Sequence, residues 1–278
     1  MSRKLKVGVV PYLNAKPIIY GLEKLSNRVE LLFEVPSKLP RLLEERRVDV
    51  ALIPAIECLR GEGFITLPGI SISSRGPVES VRLFLRRCYV DNVKSVALDE
   101  SSRTSVVLTR IILKERYGLN PQYFPWQGDS RMEDTQADAV LLIGDNAMRV
   151  DDGLPSLDLG EEWHGLTGLP FVYALWTSTS REMLDEASHL LQDAKERGRE
   201  DVVAIALRES TNLGLEPDLC IRYLTKCIRY DLGKEEIKGL QHFYDYAQQM
   251  GLVPDGVKFE LHNRGYIRES TLKKADRF

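Results

Sequence analysis

SVRLFLRR, residues 80–87, is the stretch on which the fold turns. It looks like a crossing that leads out of the first group of α/β units rather than an ordinary strand. It stands between two groups of strand-and-helix text. Upstream, the apolar runs LKVGVV, ELLFEV and VDVALIP alternate with helical patterns, and downstream KSVALD and ADAVLLI do the same. Alternation of this kind predicts α/β units with a largely parallel sheet. A second strand-like stretch, FVYALWTS at 171–178, leads back toward the end of the chain. A chain that leaves one α/β unit, builds another and returns makes two lobes joined by two strands. The expected lobe I is 1–87 with 179–278, and the expected lobe II is 88–178. The cleft between such lobes is the natural ligand site.

The helical patterns agree. SKLPRLLEERR sets Leu39, Leu42 and Leu43 on one face, and Arg103 to Tyr117 carries Val106, Val107, Ile111 and Leu113 between charges. From Ser180 to Gly251 the text is helix-period almost throughout, predicting a helical C-terminal region. Within it Leu240, Phe243, Tyr244 and Tyr246 recur as they would on a helix packed against lobe I.

At 278 residues and 43% hydrophobic, the chain can bury a substantial core. Its 38 basic and 41 acidic side chains leave a net charge of -3, so no nucleic-acid partner is expected. No window approaches the roughly 18 apolar residues of a membrane helix, so no membrane partner is expected either. The opening MSRKLKVGVVPYLNAKP has the charge of a secretion signal but too short an apolar run, which points to a cytoplasmic protein. Cys58, Cys88, Cys220 and Cys227 lack C-x-x-C spacing and read as reduced structural thiols. Phosphate-loop, dinucleotide, zinc-protease and nucleophile-elbow motifs are absent. His164, His189, His242 and His262 fall at no predicted strand end. No metal and no cofactor are expected.

Polar clusters fall instead where α/β sheets bind ligands, just past the carboxyl ends of strands. Tyr12 to Lys16, with Asn14, follows VGVVP; Glu100, Ser101, Ser102, Arg103, Thr104 and Ser105 follow SVALD; Gly144, Asp145 and Asn146 follow AVLLI. A fourth group, Ser73, Ser74, Arg75, Gly76 and Ser80, stands beside the first crossing. SSRTS is the most informative, because a helix opening offers free N–H groups and positive partial charge to a carboxylate. Each residue also has a local reading. Ser101 or Ser102 could simply cap the helix, as could Asp145, and Asn14 could bond its own turn.

Taken together, PYLNAKP, DVALIPAIE, ISISSRGPVESV, DESSRTSVVL, ADAVLLIGDNAM and EEWHGLTGLPFVYALW resemble the chorismate dehydratase family of the futalosine route to menaquinone. The likeness covers most of residues 7–178 and is weak in the helical tail. The resemblance implies a two-lobed fold of the periplasmic-binding-protein type II kind, with chorismate enclosed between the lobes. It implies loss of water to give 3-[(1-carboxyvinyl)oxy]benzoate, with the substrate's own enolpyruvyl carboxylate taking the ring proton. It also implies that Asn14 is needed for activity, that Ser80 lies at the site, and that Ser102, Thr104 and Ser105 form the helix opening. Tyr12, Ser74, Ser101, Arg103, Gly144 and Asp145 complete the expected substrate-binding set.

Two rivals remain at this level. The sister enzyme of that route, 1,4-dihydroxy-6-naphthoate synthase, carries a histidine after the strand that here runs into Gly144 and Asp145. A cytoplasmic small-anion binding protein is the other, since fold does not fix function.

Overall fold

The computed structural model describes residues 3–86, 89–127, 130–150, 153–254 and 259–262. Its strands form two sheets. The first contains β1 (Leu5–Val9), β2 (Val29–Phe33), β3 (Val50–Pro54), β4 (Ile65–Ser74), β10 (Phe171–Ser178) and β11 (Ile228–Arg229), in the order β11-β4-β10-β3-β1-β2. The second contains β5 (Val81–Leu85), β6 (Ser95–Asp99), β7 (Gln122–Trp126), β8 (Ala139–Ile143) and β9 (Ser156–Asp158), in the order β7-β6-β8-β5-β9. Helices α1 (Leu39–Glu44), α2 (Thr104–Glu115), α3 (Gly144–Met148), α4 (Leu159–Thr167), α5 (Arg181–Glu200), α6 (Val202–Leu213), α7 (Pro217–Arg222) and α8 (Lys234–Gln249) surround them. The architecture is α/β and two-lobed, with a helical C-terminal region.

The unbroken apolar runs became central parallel strands. β3 and β8 are buried at every position, as strands covered on both faces must be. β1, β2 and β3 pair in parallel, as do β6, β7 and β8. The expectation of a largely parallel sheet needs correction beyond these: β10, β4 and β11 join the first sheet antiparallel, and β5 and β9 the second. β4 is a ten-residue strand absent from the expected runs, and its polar end, SISS, takes in Ser73 and Ser74 of the fourth polar group. Those serines are buried because their hydroxyls are satisfied: Ser71 donates to Asp231 O at 2.8 Å and Ser73 to Arg229 O at 3.3 Å.

β5 pairs with strands of the second sheet and β10 with strands of the first, so the chain leaves the first sheet after Ser74 and rejoins it at Phe171. Val81 lies opposite Ile143, and Ala174 opposite Pro54. Both crossings therefore meet the sheets at the carboxyl ends of parallel strands, which sets the cleft there.

Asp158 ties the two crossings together. Its carboxylate accepts from Val78 N and Glu79 N on one and from Gly160 N and Glu161 N on the other, at 2.7–3.1 Å. The last two bonds cap α4. The crossings run so close that a Cβ at Gly160 would sit 2.6 Å from Gly76 O. Trp163 of α4 meets Phe171, Phe243 and Tyr246 edge-on, with centroids 5.3–6.2 Å apart, so α8 packs against β10 and α4. Each such aromatic pair adds about 0.5–1.5 kcal/mol beyond burial.

Candidate active site

A cleft open to solvent, about 580 Å³ of empty space in all, lies between the lobes. Its apolar wall includes Leu52 and Ile72 from the first sheet and Val81 and Ile143 from the second. Its polar groups come from three places.

The first is the turn after β1. Tyr12 lays its ring against Gly144, where an added Cβ would meet Tyr12 Cδ1 at 3.0 Å. Gly144 also holds φ +61, a conformation that costs other residues. The Tyr12 hydroxyl lies near Ser101, whose own hydroxyl donates to Asp99 Oδ1 at 2.6 Å. Burial pushes the Tyr12 pKa up to about 12, so the phenol stays neutral. Asn14 sits in the single 3-10 turn Leu13–Ala15 and lines the cleft. Its Oδ1 is buried with no partner among the described residues, and the side chain lies beside the Tyr223 phenol.

The second place is the first crossing. Ser80 is buried, and its Oγ accepts from Tyr223 Oη at 2.7 Å. Its carbonyl accepts from Gly144 N at 2.8 Å. Tyr223 opens the wide π-type turn Tyr223–Cys227, a local geometry often found at functional sites. Burial pushes its pKa far upward.

The third is the opening of α2, where Ser102, Arg103, Thr104 and Ser105 all line the cleft. The first-turn N–H groups there lack helical partners. Thr104 Oγ1 accepts from Ile56 N across the lobe boundary at 3.2 Å.

Among the described lining residues there is no Asp, Glu, His, Lys or Cys. Arg103 is the one charged side chain, and it makes no hydrogen bond or ion pair with a described residue. Tyr173, the other titratable group beside Tyr12, has its pKa raised well above normal by burial. The site offers donors and a cation, and no base.

Of the expected residues, Tyr12, Asn14, Ser80, Ser102, Arg103, Thr104, Ser105 and Gly144 line one cleft. Three do not. Ser74 pairs with Tyr173 Oη at 3.0 Å and supports that ring from behind. Ser101 is drawn to Asp99 and Tyr12. Asp145, expected as a ligand group or a cap, turns its Oδ1 to Leu13 N at 3.1 Å and so fastens the Asn14 turn from the opposite lobe. Its pKa is raised by burial, opposed by that amide and by Arg149 and Lys16. Tyr173 and Tyr223 went unread in the sequence. Nothing in the helical text around Tyr223 marks it, and Tyr173 is one position in a strand.

The histidines lie elsewhere: His164 Nδ1 is 3.3 Å from Leu169 O, and His262 pairs with Asp185 at 2.8 Å. Cys58 and Cys220 are buried and free, with the Cys58 thiol pushed to about 11 by burial. Cys88 lies outside the described residues. Among the described residues no group of three or more His, Cys, Asp and Glu could hold a metal ion, and no helix is long and apolar enough to cross a membrane.

Two lobes, two crossings and a cleft at the strand ends define a periplasmic-binding-protein-like fold. The periplasmic aliphatic sulphonate binding protein SsuA of Escherichia coli shares it, with a TM-score of 0.65 over 92% of this chain and 90% of that one, at 14% identity. A family model described as menaquinone biosynthesis matches residues 5–249. The chain belongs to that menaquinone biosynthesis family. Among its relatives, a chorismate dehydratase of Thermus thermophilus is 31% identical over 270 residues, covering 90% of this chain and 96% of the relative. Another from Campylobacter jejuni is 31% identical over 185 residues, covering 64% and 69%.

Proposed function

We propose that the protein removes water from chorismate to give 3-[(1-carboxyvinyl)oxy]benzoate, as a hydro-lyase of menaquinone biosynthesis. The two relatives named chorismate dehydratase support the substrate. The observation that carries the mechanism is the composition of the cleft: one arginine, several neutral donors and no side chain suited to remove a proton.

A dianion suits such a site. The ring carboxylate docks on the free N–H groups and hydroxyls of the α2 opening, each charge-assisted bond contributing about 1.5–3 kcal/mol. The proton to be lost is on the ring carbon bearing the ether oxygen, and the hydroxyl to be lost is on the next carbon. In chorismate these two substituent oxygens are trans, so the departing proton and hydroxyl share one ring face. The enolpyruvyl carboxylate curls back to the hydrogen on the carbon that bears it and takes that proton; the C–H electrons enter the ring, the C–O bond breaks, and the newly protonated carboxyl hands its proton to the leaving hydroxide to give water. The product is aromatic, which drives the step forward.

The protein's task is then geometry. Asn14 and Ser80 hold the side arm over the ring, and an apolar, closed cleft strengthens the carboxylate as a base. Neutral Tyr12 adds no competing charge. Gly144 and Asp145 stand where the sister enzyme of the route has histidine, so the dehydratase reading is preferred.

Incubating the purified protein with chorismate tests this. Loss of diene absorbance with a product of the mass of 3-[(1-carboxyvinyl)oxy]benzoate is expected. An unchanged spectrum with bound chorismate would instead mark an anion-binding protein.

A further inference from the structure

Beside the cleft lies a second groove of about 880 Å³, and Ser102 and Arg103 line both. Its other walls bring Arg60 and Arg110 together with Tyr123, Phe124 and Pro125 of β7. Arg60 is already matched, with Nη1 3.1 Å from Glu57 Oε1 and Nη2 donating to Leu252 O at 3.0 Å. Arg103 and Arg110 are not. Neither side chain forms a hydrogen bond or ion pair with a described residue, and Arg110 Nε is buried with no acceptor. Arg110 lies instead over the Tyr123 ring, 4.5 Å from its centroid. Among the described residues Glu100 is the single carboxylate on the groove, and it is exposed.

A buried guanidinium N–H without an acceptor is costly, because the group is charged as well as unbonded. An anion in the groove balances that charge, and the outer fork of a guanidinium fits a carboxylate. The neighbouring surface is flat and apolar: the Tyr123 ring, Pro125 and Phe124, which is 46% exposed. Such a surface suits an aromatic ring.

The geometry points to a second binding site here for a small aromatic carboxylate, meeting the catalytic cleft at Arg103. The choice of ring rests on the proposed reaction, whose product is an aromatic dicarboxylate; the preference for an anion rests on the arginines alone. A product molecule held in the groove draws the Arg103 guanidinium toward itself, so that substrate in the cleft and product in the groove compete for one cation.

Calorimetric titration of the full chain with isophthalate, a benzene ring carrying two carboxylates, tests this. Two classes of site are expected in the unaltered protein. Arg110→Gln is expected to weaken one class by about tenfold or more and leave the other unchanged, with Arg110→Lys between them. Phe124→Ala, a change at an exposed side chain, is expected to weaken the same class and guards against a folding defect in the arginine variants. A single class of site, or identical isotherms for the protein and Arg110→Gln, would overturn the proposal. Inorganic phosphate or glutarate binding this class as tightly as isophthalate would overturn the aromatic assignment. The titration needs no turnover, so protein that binds isophthalate through Arg110 but leaves chorismate unchanged would sink the proposed reaction and leave the groove standing.

Discussion

The Tyr223 hydroxyl donates to Ser80 Oγ at 2.7 Å and lies beside the Asn14 side chain. One phenol from the C-terminal region thus orients a side chain on the first crossing and packs beside one on the turn after β1. Asn14 Oδ1 has no partner among the described residues. The helical tail is part of the site's scaffold.

Removing that phenol oxygen should therefore affect the chemical step more than binding. Tyr223→Phe is expected to lower kcat by about 10–100-fold with a smaller change in KM, since misplaced groups lose rate steeply. Stability should fall by only about 1 kcal/mol, the usual worth of a hydrogen bond. Steady-state kinetics on chorismate with a thermal melt checks both, and a kcat within twofold of normal would remove Tyr223 from its positioning role.

Gly144 links the lobes through Tyr12. A side chain there must hold a left-handed φ of +61 and press on the ring. Gly144→Ala is expected to cost about 1–2 kcal/mol, felt in the closed form as a KM raised by about fivefold or more. Binding measured by calorimetry should weaken in step, and an unaltered KM would contradict the contact's role in closure.

Asp145 gives the protein a pH signature. Burial raises its pKa in the folded state above the unfolded value of about 3.9. Its contribution to stability is thus fully present below the unfolded value and is lost as pH rises through the folded one. Asp145→Asn keeps an oxygen for Leu13 N and cannot ionise. The melting temperature of the unaltered protein should fall relative to Asp145→Asn as pH rises from about 4 toward neutrality. Parallel curves would contradict the burial argument.

Asp158 holds both crossings through four backbone N–H groups. Asp158→Ala leaves those donors, three of them part-buried, without their acceptor. A loss of about 3 kcal/mol or more is expected, read as a lower midpoint in urea. A midpoint equal to that of the unaltered protein would mean the crossings are held by other contacts.

What was legible in the sequence follows from what each signal measures. Runs such as VALIP and AVLLI read correctly because a strand buried on both faces has nothing else to be. β4 did not, since its serines are buried only through bonds to Asp231, Arg229 and Gly76, partners that the fold brings from far away or by a turn. The cleft residues at Tyr12, Asn14, Ser80 and 102–105 were found because strand ends and helix openings have local marks. Ser74, Ser101 and Asp145 carry the same marks, but their side chains point at Tyr173, Asp99 and Leu13. Direction at that scale is set by packing. Tyr223 had no mark at all, because its meaning depends on where the tail returns.

The central claim is that the substrate supplies its own base, and the side-arm methyl ester of chorismate tests it most directly. With binding verified by calorimetry, the account predicts that the bound ester forms no aromatic product while free chorismate is converted. Aromatic product from the ester at a rate near that of chorismate would contradict it and require a base among the protein's own side chains.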